Sequence, residues 1–163
     1  FAMREHMDLP WFFPVYRALL QPARDAATAV PRYTWPFKRE TREQRPVRDP
    51  FRGEAVILVN GRSFSVTSEF AAIARSSGRA RVVGEETGGG YSGNTSGFFA
   101  ITRLPNSRLI VGIPLWGYYL AVEPIQPLDR GVIPTVTVVP EIGDIMAGRD
   151  PVVSAALALP RDP

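Results

Sequence analysis

Cysteine is absent from the 163 residues, and this excludes disulfide scaffolds, Cys-ligated zinc, iron–sulfur clusters and thiol catalysis together. The redox compartment stays open. Histidine occurs once, as His6, so no multi-histidine metal site can be assembled, and metal catalysis would rest on carboxylates alone. Neither a metal nor an organic cofactor is expected. Lysine also occurs once, as Lys38. No apolar run approaches the ~18 residues a membrane span needs, and no charged-then-apolar signal segment opens the chain. The first residue, Phe1, is not Met, which reads as a processed or cut-down piece. Internal repeats are absent too.

What is present describes a globular chain. Apolar residues make up 45% and charged residues 21%, enough to bury a core and too balanced for a disordered polyelectrolyte. The length fits one domain of roughly 100 to 200 residues. The net charge of +3 is unevenly placed: residues 1–53 carry ten Arg/Lys against six Asp/Glu, and the remainder nine against ten. From Phe37 to Arg52 the cations are interrupted by Glu40, Glu43 and Asp49. A nucleic-acid arm would hold fewer acids and more aromatics, so the segment reads as a solvated strap and no nucleic-acid partner is expected.

Two parts differ in character. Residues 1–53 hold seven prolines, Pro10, Pro14, Pro22, Pro31, Pro36, Pro46 and Pro50, which break any long helix. Short helices are expected near Val15 to Leu20 and Ala23 to Ala29, with Trp11, Phe12, Phe13 and Trp35 anchoring an extended segment. Residues 54–163 look like the folded part. Ala55 to Val59 is an apolar, β-branched run bounded by Arg52-Gly53 and Asn60-Gly61, the pattern of a strand buried on both faces. Ser65 to Ser77 places Val66, Phe70 and Ile73 at helical spacing, with Glu69 in the first turn and Gly78 just past the end. A second apolar strand follows at Ala80 to Gly84. Strand, helix and strand in this order predict a crossover and a parallel sheet, hence an α/β fold. A hairpin is expected from Gly97–Leu104 and Arg108–Ile113 around Pro105-Asn106-Ser107. A strand at Thr135 to Val139 and helices at Glu141–Ala147 and Pro151–Leu159 complete the chain.

Two motifs invite chemistry. Gly88-Gly89-Gly90-Tyr91-Ser92-Gly93 satisfies G-x-G-x-x-G, but a dinucleotide turn must open a helix, and Thr95 to Thr102 alternates like a strand. No Lys follows, so a phosphate loop fails as well; the glycines read as a flexible loop or the rim of a cleft. Gly61-Arg62-Ser63-Phe64-Ser65 is more informative, because it turns a strand into a helix with a hydroxyl at the junction. There the helix dipole and first-turn N–H groups favour developing negative charge. The plainer reading is that Ser63 or Ser65 caps the helix.

The stretches Ala55-Val-Ile-Leu-Val-Asn-Gly-Arg-Ser-Phe-Ser65-Val-Thr-Ser-Glu-Phe70, Gly78 to Gly90, Gly131-Val-Ile-Pro134 and Glu141 to Val153 resemble the catalytic core of the tail-specific, or carboxyl-terminal processing, serine peptidases. The tricorn protease core and the interphotoreceptor retinoid-binding protein repeats belong to the same group. The resemblance implies an incomplete spiral α/β fold of the Clp protease and crotonase type, and peptide or protein substrates. It places Ser65 on the nucleophile, the Val66 N–H on an oxyanion donor, and Gly88, Gly89 and Gly90 on the loop beside the substrate cleft. Processing peptidases carry a Lys inside that loop where this chain has Gly90. The glycine-only loop is similar to the tricorn-like branch, in which Ser works with a His and a carboxylate; Asp129 and Glu123 are the candidates for the carboxylate. Thr135 stands where the family usually has Asp after Pro.

The glycine-rich turn that supplies the second oxyanion donor has no counterpart in the sequence, and His6 matches no catalytic motif of this group. The resemblance therefore implies the carboxyl-terminal, nucleophile-bearing part of a longer peptidase whose base lies elsewhere. The alternative is an inactive peptidase-like fold serving as a ligand- or protein-binding module. Family habit points to a bacterial periplasmic or secreted setting. A homo-oligomer, or a complex with the missing amino-terminal portion, is expected.

Overall fold

The computed structural model describes residues 47–97, 99–115 and 117–160, together with residues 15, 18–19, 21–22 and 33–34. His6, Lys38, the four aromatic anchors and the helix expected at 23–29 lie outside the described residues. Of the helix expected at 15–20, the described part shows the Leu19 N–H donating to the Val15 carbonyl at 3.2 Å. The chain divides into two compact units, Phe1–Arg52 with Ala100–Gly112, and Gly53–Phe99 with Ile113–Pro163.

In the first unit β1 (Gln21–Pro22) pairs antiparallel with β2 (Tyr33–Thr34). The unit also holds most of the expected hairpin, formed by strands at Phe99–Arg103 and Ile110–Pro114. Its turn is closed by Leu104 N–H to the Leu109 carbonyl at 2.9 Å and Arg108 N–H to the Leu104 carbonyl at 3.0 Å.

The second unit carries the parallel sheet. Strand β3 (Val56–Val59) runs beside β4 (Arg81–Gly84), pairing Val56 with Arg81 through Val59 with Gly84. Between them helix α1 (Val66–Ser76) makes the crossover. It ends as the sequence prescribes, at Gly78 with φ +67°, whose N–H donates to the Arg75 carbonyl at 3.1 Å. In chain order β5 (Gly93–Asn94), then β6 and β7 of the hairpin, then β8 (Tyr118–Tyr119) follow, and β5 pairs antiparallel with β8. Strand β9 (Val136–Thr137) joins β4 in parallel, giving the order β3-β4-β9. Thr135 locks that junction, since its Oγ1 accepts from the Val82 N–H at 3.0 Å and donates to the Val82 carbonyl at 2.7 Å. Two short helices close the unit, α2 (Ile142–Met146) with a Glu141/Asp144 capping box, and α3 (Pro151–Leu157) capped by Asp150 and opened by proline.

The core is built from Val59, Ala71, Ala72, Val82, Tyr91 and Val132, with Ile57, Leu120 and Val122 packed against it. Helix α1 buries Ser68, Ala71, Ala72 and Ala74; these small side chains let it lie close to the sheet. The Val66, Phe70, Ile73 stripe sets the helical period and faces outward, with exposures of 71%, 62% and 51%. One sequence expectation changes here. Strand β3 is not buried on both faces: Val59 is buried, whereas Leu58 is 43% exposed. The physical reason is that β3 is the edge of the sheet, and the helix packed on it, α3, is only seven residues long. Among the described residues no helix is long and apolar enough to cross a membrane.

Candidate active site

Everything at the β3–α1 junction is arranged around two serines with opposite roles. The turn begins at Asn60, whose Oδ1 accepts from the Arg62 N–H at 2.9 Å while its carbonyl accepts from the Ser63 N–H at 2.9 Å. Ser63 is buried and tied into the turn. Its Oγ accepts from the Asn60 N–H at 3.1 Å, and its carbonyl accepts from Ser68 Oγ at 2.6 Å and from the Gly89 N–H at 3.0 Å.

Ser65 is the reverse case. It occupies the N-cap position of α1 with φ 52° and ψ −131°, a left-handed conformation that glycine tolerates and other residues rarely adopt. Its side chain makes no capping hydrogen bond and the residue is exposed. The capping reading is thereby removed for both serines: Ser63 is tied into the turn, and Ser65 caps nothing. Ser65 immediately precedes the first-turn N–H groups of an eleven-residue helix, where the backbone dipoles favour negative charge. The Val66 N–H is the first of these groups.

The glycine loop abuts this turn, and it is pinned where the sequence suggested flexibility. Thr87 is buried; its Oγ1 donates to the Gly89 carbonyl at 2.7 Å and accepts from the Val132 N–H at 2.7 Å. Gly90 bridges to Gly131, and the Tyr91 N–H donates to the Arg130 carbonyl at 2.9 Å. A Cβ on Gly88 would run into the Gly61 carbonyl and the Phe64 ring, and one on Gly89 into Ser68 Oγ. The glycines are thus required by close approach to the serine turn.

The two carboxylate candidates have different surroundings. Glu123 meets the far end of α1: its N–H donates to Ser76 Oγ at 2.7 Å and its carbonyl accepts from Tyr91 Oη at 2.7 Å. Ser76 lies about 16 Å along the helix axis from Ser65 at ~1.5 Å per residue. Asp129 is exposed, next to a turn held by Glu86. That carboxylate forks onto the Arg130 guanidinium and accepts from the Gly131 N–H at 2.9 Å. Arg130 beside it holds the Glu86 carboxyl below the usual carboxylate range, with the Gly131 N–H adding to the effect against partial desolvation. Among the described residues neither candidate carboxylate contacts Ser65, and no group of three or more His, Cys, Asp or Glu is placed to hold a metal.

One acid that the sequence reading passed over does lie near Ser65. Glu69 is a turn further along α1, its N–H donating to the Ser65 carbonyl at 3.0 Å, and its Oε1 accepts from Tyr118 Oη at 3.1 Å and from Asn94 Nδ2. The spacing of four from Ser65 could have singled it out; Asn94 and Tyr118 arrive from distant strands and had no sequence signal. A cleft of about 450 Å³ also opens at the carboxyl ends of β3 and β4, lined in part by Asn60, Ser63, Glu85 and Arg149; Ser65 and the glycine loop do not line it.

A strand, a sharp turn holding a serine with positive φ and no side-chain cap bond, and a helix receiving it form this junction on an α/β scaffold. The sequence profile of peptidase family S41 matches residues 17–138, and the chain belongs to that family. The family resemblance read from the sequence is correct at this level. The structure is also similar to a crystal structure from Parabacteroides merdae described as a "putative peptidase", with 28% sequence identity over 78% of this chain and a TM-score of 0.51. The chain spans 35% of the length of that protein. No match is found among curated proteins.

Proposed function

We propose that this chain is the nucleophile-bearing part of a serine endopeptidase of the tail-specific, tricorn-like branch, on an incomplete Clp protease/crotonase-like spiral fold. The observation that carries the reading is Ser65, strained, exposed and without a capping bond at the head of α1. Membership of family S41 supports it. Ser65 Oγ attacks the peptide carbonyl as its proton passes to a histidine supplied from outside this chain. The Val66 N–H donates to the resulting oxyanion, and Asp129 or Glu123 orients the imidazolium. The tetrahedral intermediate collapses as the C–N bond breaks and the histidinium gives its proton to the leaving amine; water, deprotonated by the same histidine, then hydrolyses the acyl-enzyme and frees Ser65. Residues 54–163 form the catalytic part and residues 1–53 an accessory segment, in a bacterial periplasmic or secreted protein.

Labelling by a fluorophosphonate tests this. The full-length protein is expected to label at Ser65, Ser65→Ala to lose the label and peptide cleavage, and Ser63→Ala, if folded, to keep the label. Labelling should rise through about pH 6.5 as the histidine deprotonates. The 163-residue chain alone is expected to turn over little, since a serine without a base is a weak nucleophile. Equal labelling of Ser65→Ala would remove Ser65 from the role and leave the inactive, ligand-binding fold as the better reading.

A further inference from the structure

The Glu69 carboxylate is held in an unusual state of partial satisfaction. Its Oε1 takes two neutral donors, Tyr118 Oη at 3.1 Å and Asn94 Nδ2. The amide of Asn94 is oriented for this, because its Oδ1 accepts from the N–H of Ser96 at 2.9 Å and from Ser96 Oγ. Asn94 and Tyr118 are directly opposed in the β5–β8 ribbon, so the two donors reach Glu69 from one rigid edge. Oε2 has no donor among the described residues, and none of the ion pairs there includes Glu69. The side chain is half-buried while Tyr118 and Ser96 are exposed, so the free oxygen is reachable from solvent.

A first-turn glutamate that merely complements the helix dipole, or merely docks the ribbon, accounts for Oε1 alone. A carboxylate oxygen with no ion-pair partner among the described residues can receive a cation. Residues four apart on a helix are neighbours at about 5–6 Å, which sets Glu69 one turn from Ser65.

We infer that Glu69, Asn94 and Tyr118 form a specificity subsite for a basic side chain, lysine or arginine, of a substrate peptide next to the scissile bond. The ammonium or guanidinium pairs with Oε2, and the Tyr118 ring supplies an apolar wall for the methylene stem. This deepens the peptidase reading and takes from it the position of the scissile bond.

Binding and cleavage can be measured apart. Positional libraries of acetylated, amidated octapeptides, each fixing Lys, norleucine or Glu at one position, are titrated against the full-length protein carrying Ser65→Ala. One position is expected to favour Lys over norleucine by about tenfold, the usual range for a charged hydrogen bond. Glu69→Gln, which keeps the acceptor for Tyr118, should erase that ratio and leave norleucine peptides bound as before; Glu69→Lys should favour the Glu library instead. In the protein with Ser65 intact, the same ratio should appear in kcat/KM. A parent protein without preference for Lys at any position overturns the subsite, whatever the fold of the variants. So does a Glu69→Gln variant that lowers cleavage of all libraries equally with a shifted pH profile, which would make Glu69 a partner of the catalytic base. If Lys peptides bind through Glu69 but Ser65 fails to label, the peptidase reading falls and the cation subsite stands.

Discussion

At the scale of single residues, the two serines of the β3–α1 turn show how far a sequence can be read. The pattern located the turn and the resemblance favoured Ser65, but pattern alone left both hydroxyls as capping candidates. The difference is conformational: Ser63 is buried and held by four hydrogen bonds, one of them to its Oγ, and Ser65 sits at φ 52° with none from its side chain in the cap. Backbone strain of this kind costs on the order of 1–3 kcal/mol and is found where function over-determines it. A direct consequence follows for stability. Ser65→Gly should raise the unfolding free energy by roughly 0.5–1 kcal/mol over Ser65→Ala, because glycine takes the left-handed conformation without a Cβ penalty. Urea unfolding of both variants measures it; an alanine variant at least as stable as the glycine variant would mean that the residue is relaxed. Glu69 teaches the complementary lesson. Its spacing from Ser65 was visible, but its partners come from 25 and 49 positions away, and no local signal reports such a meeting.

Among the elements, the parallel strands, α1 and both closing helices were legible because each rests on local chemistry: β-branched runs, a helical period, Gly78, and the Asp150-Pro151 start. Which face each element would bury was not legible. The sequence pattern put Val66, Phe70 and Ile73 on one stripe, yet the core takes the alanine face of α1, since close helix–sheet approach selects small side chains. The glycine loop was read as a flexible loop or the rim of a cleft for the same reason, its tight neighbours being remote in sequence. Gly89→Ala should therefore destabilise by about 1–3 kcal/mol through overpacking against Ser68, read as a lowered Tm; an unchanged Tm would show that the loop yields. The turn before Gly131 gives a pH signature. Hydrogen bonding from Arg130 keeps the folded Glu86 carboxyl below its ordinary range. Its stabilising contribution is then present above the unfolded value of about 4.3 and is lost as pH falls through the lower folded value. Asp144, held down mainly by the Glu141 N–H and then by Arg149, acts in the same direction. Glu86→Gln should flatten part of the loss of stability that sets in as pH falls below about 4.3, leaving the Asp144 share. Parallel acid titrations of parent and variant by circular dichroism would contradict this by overlaying throughout.

For the whole molecule the decisive feature lies within the second unit, where the outer edge of β3 has no partner strand among the described residues. Phe64, Val66, Phe70 and Ile73 are also exposed at and along α1. An open parallel edge offers unpaired N–H and carbonyl groups, and contiguous apolar side chains gain roughly 25 cal/mol per Å² when covered. Both forces act in the same direction, toward another polypeptide. We propose that the chain associates, with copies of itself or with the amino-terminal remainder of a longer peptidase, through this face. Light scattering on a dilution series should give a mass that climbs with concentration above the monomer's 18.0 kDa. Phe70→Lys should shift the curve toward monomer while leaving the Tm within a few degrees, because an exposed side chain contributes little to the monomer's own stability. An 18.0 kDa species at every concentration, unfolding cooperatively, would show that the face is stable uncovered. A Phe70→Lys variant that associates as strongly as the parent would move the contact away from α1.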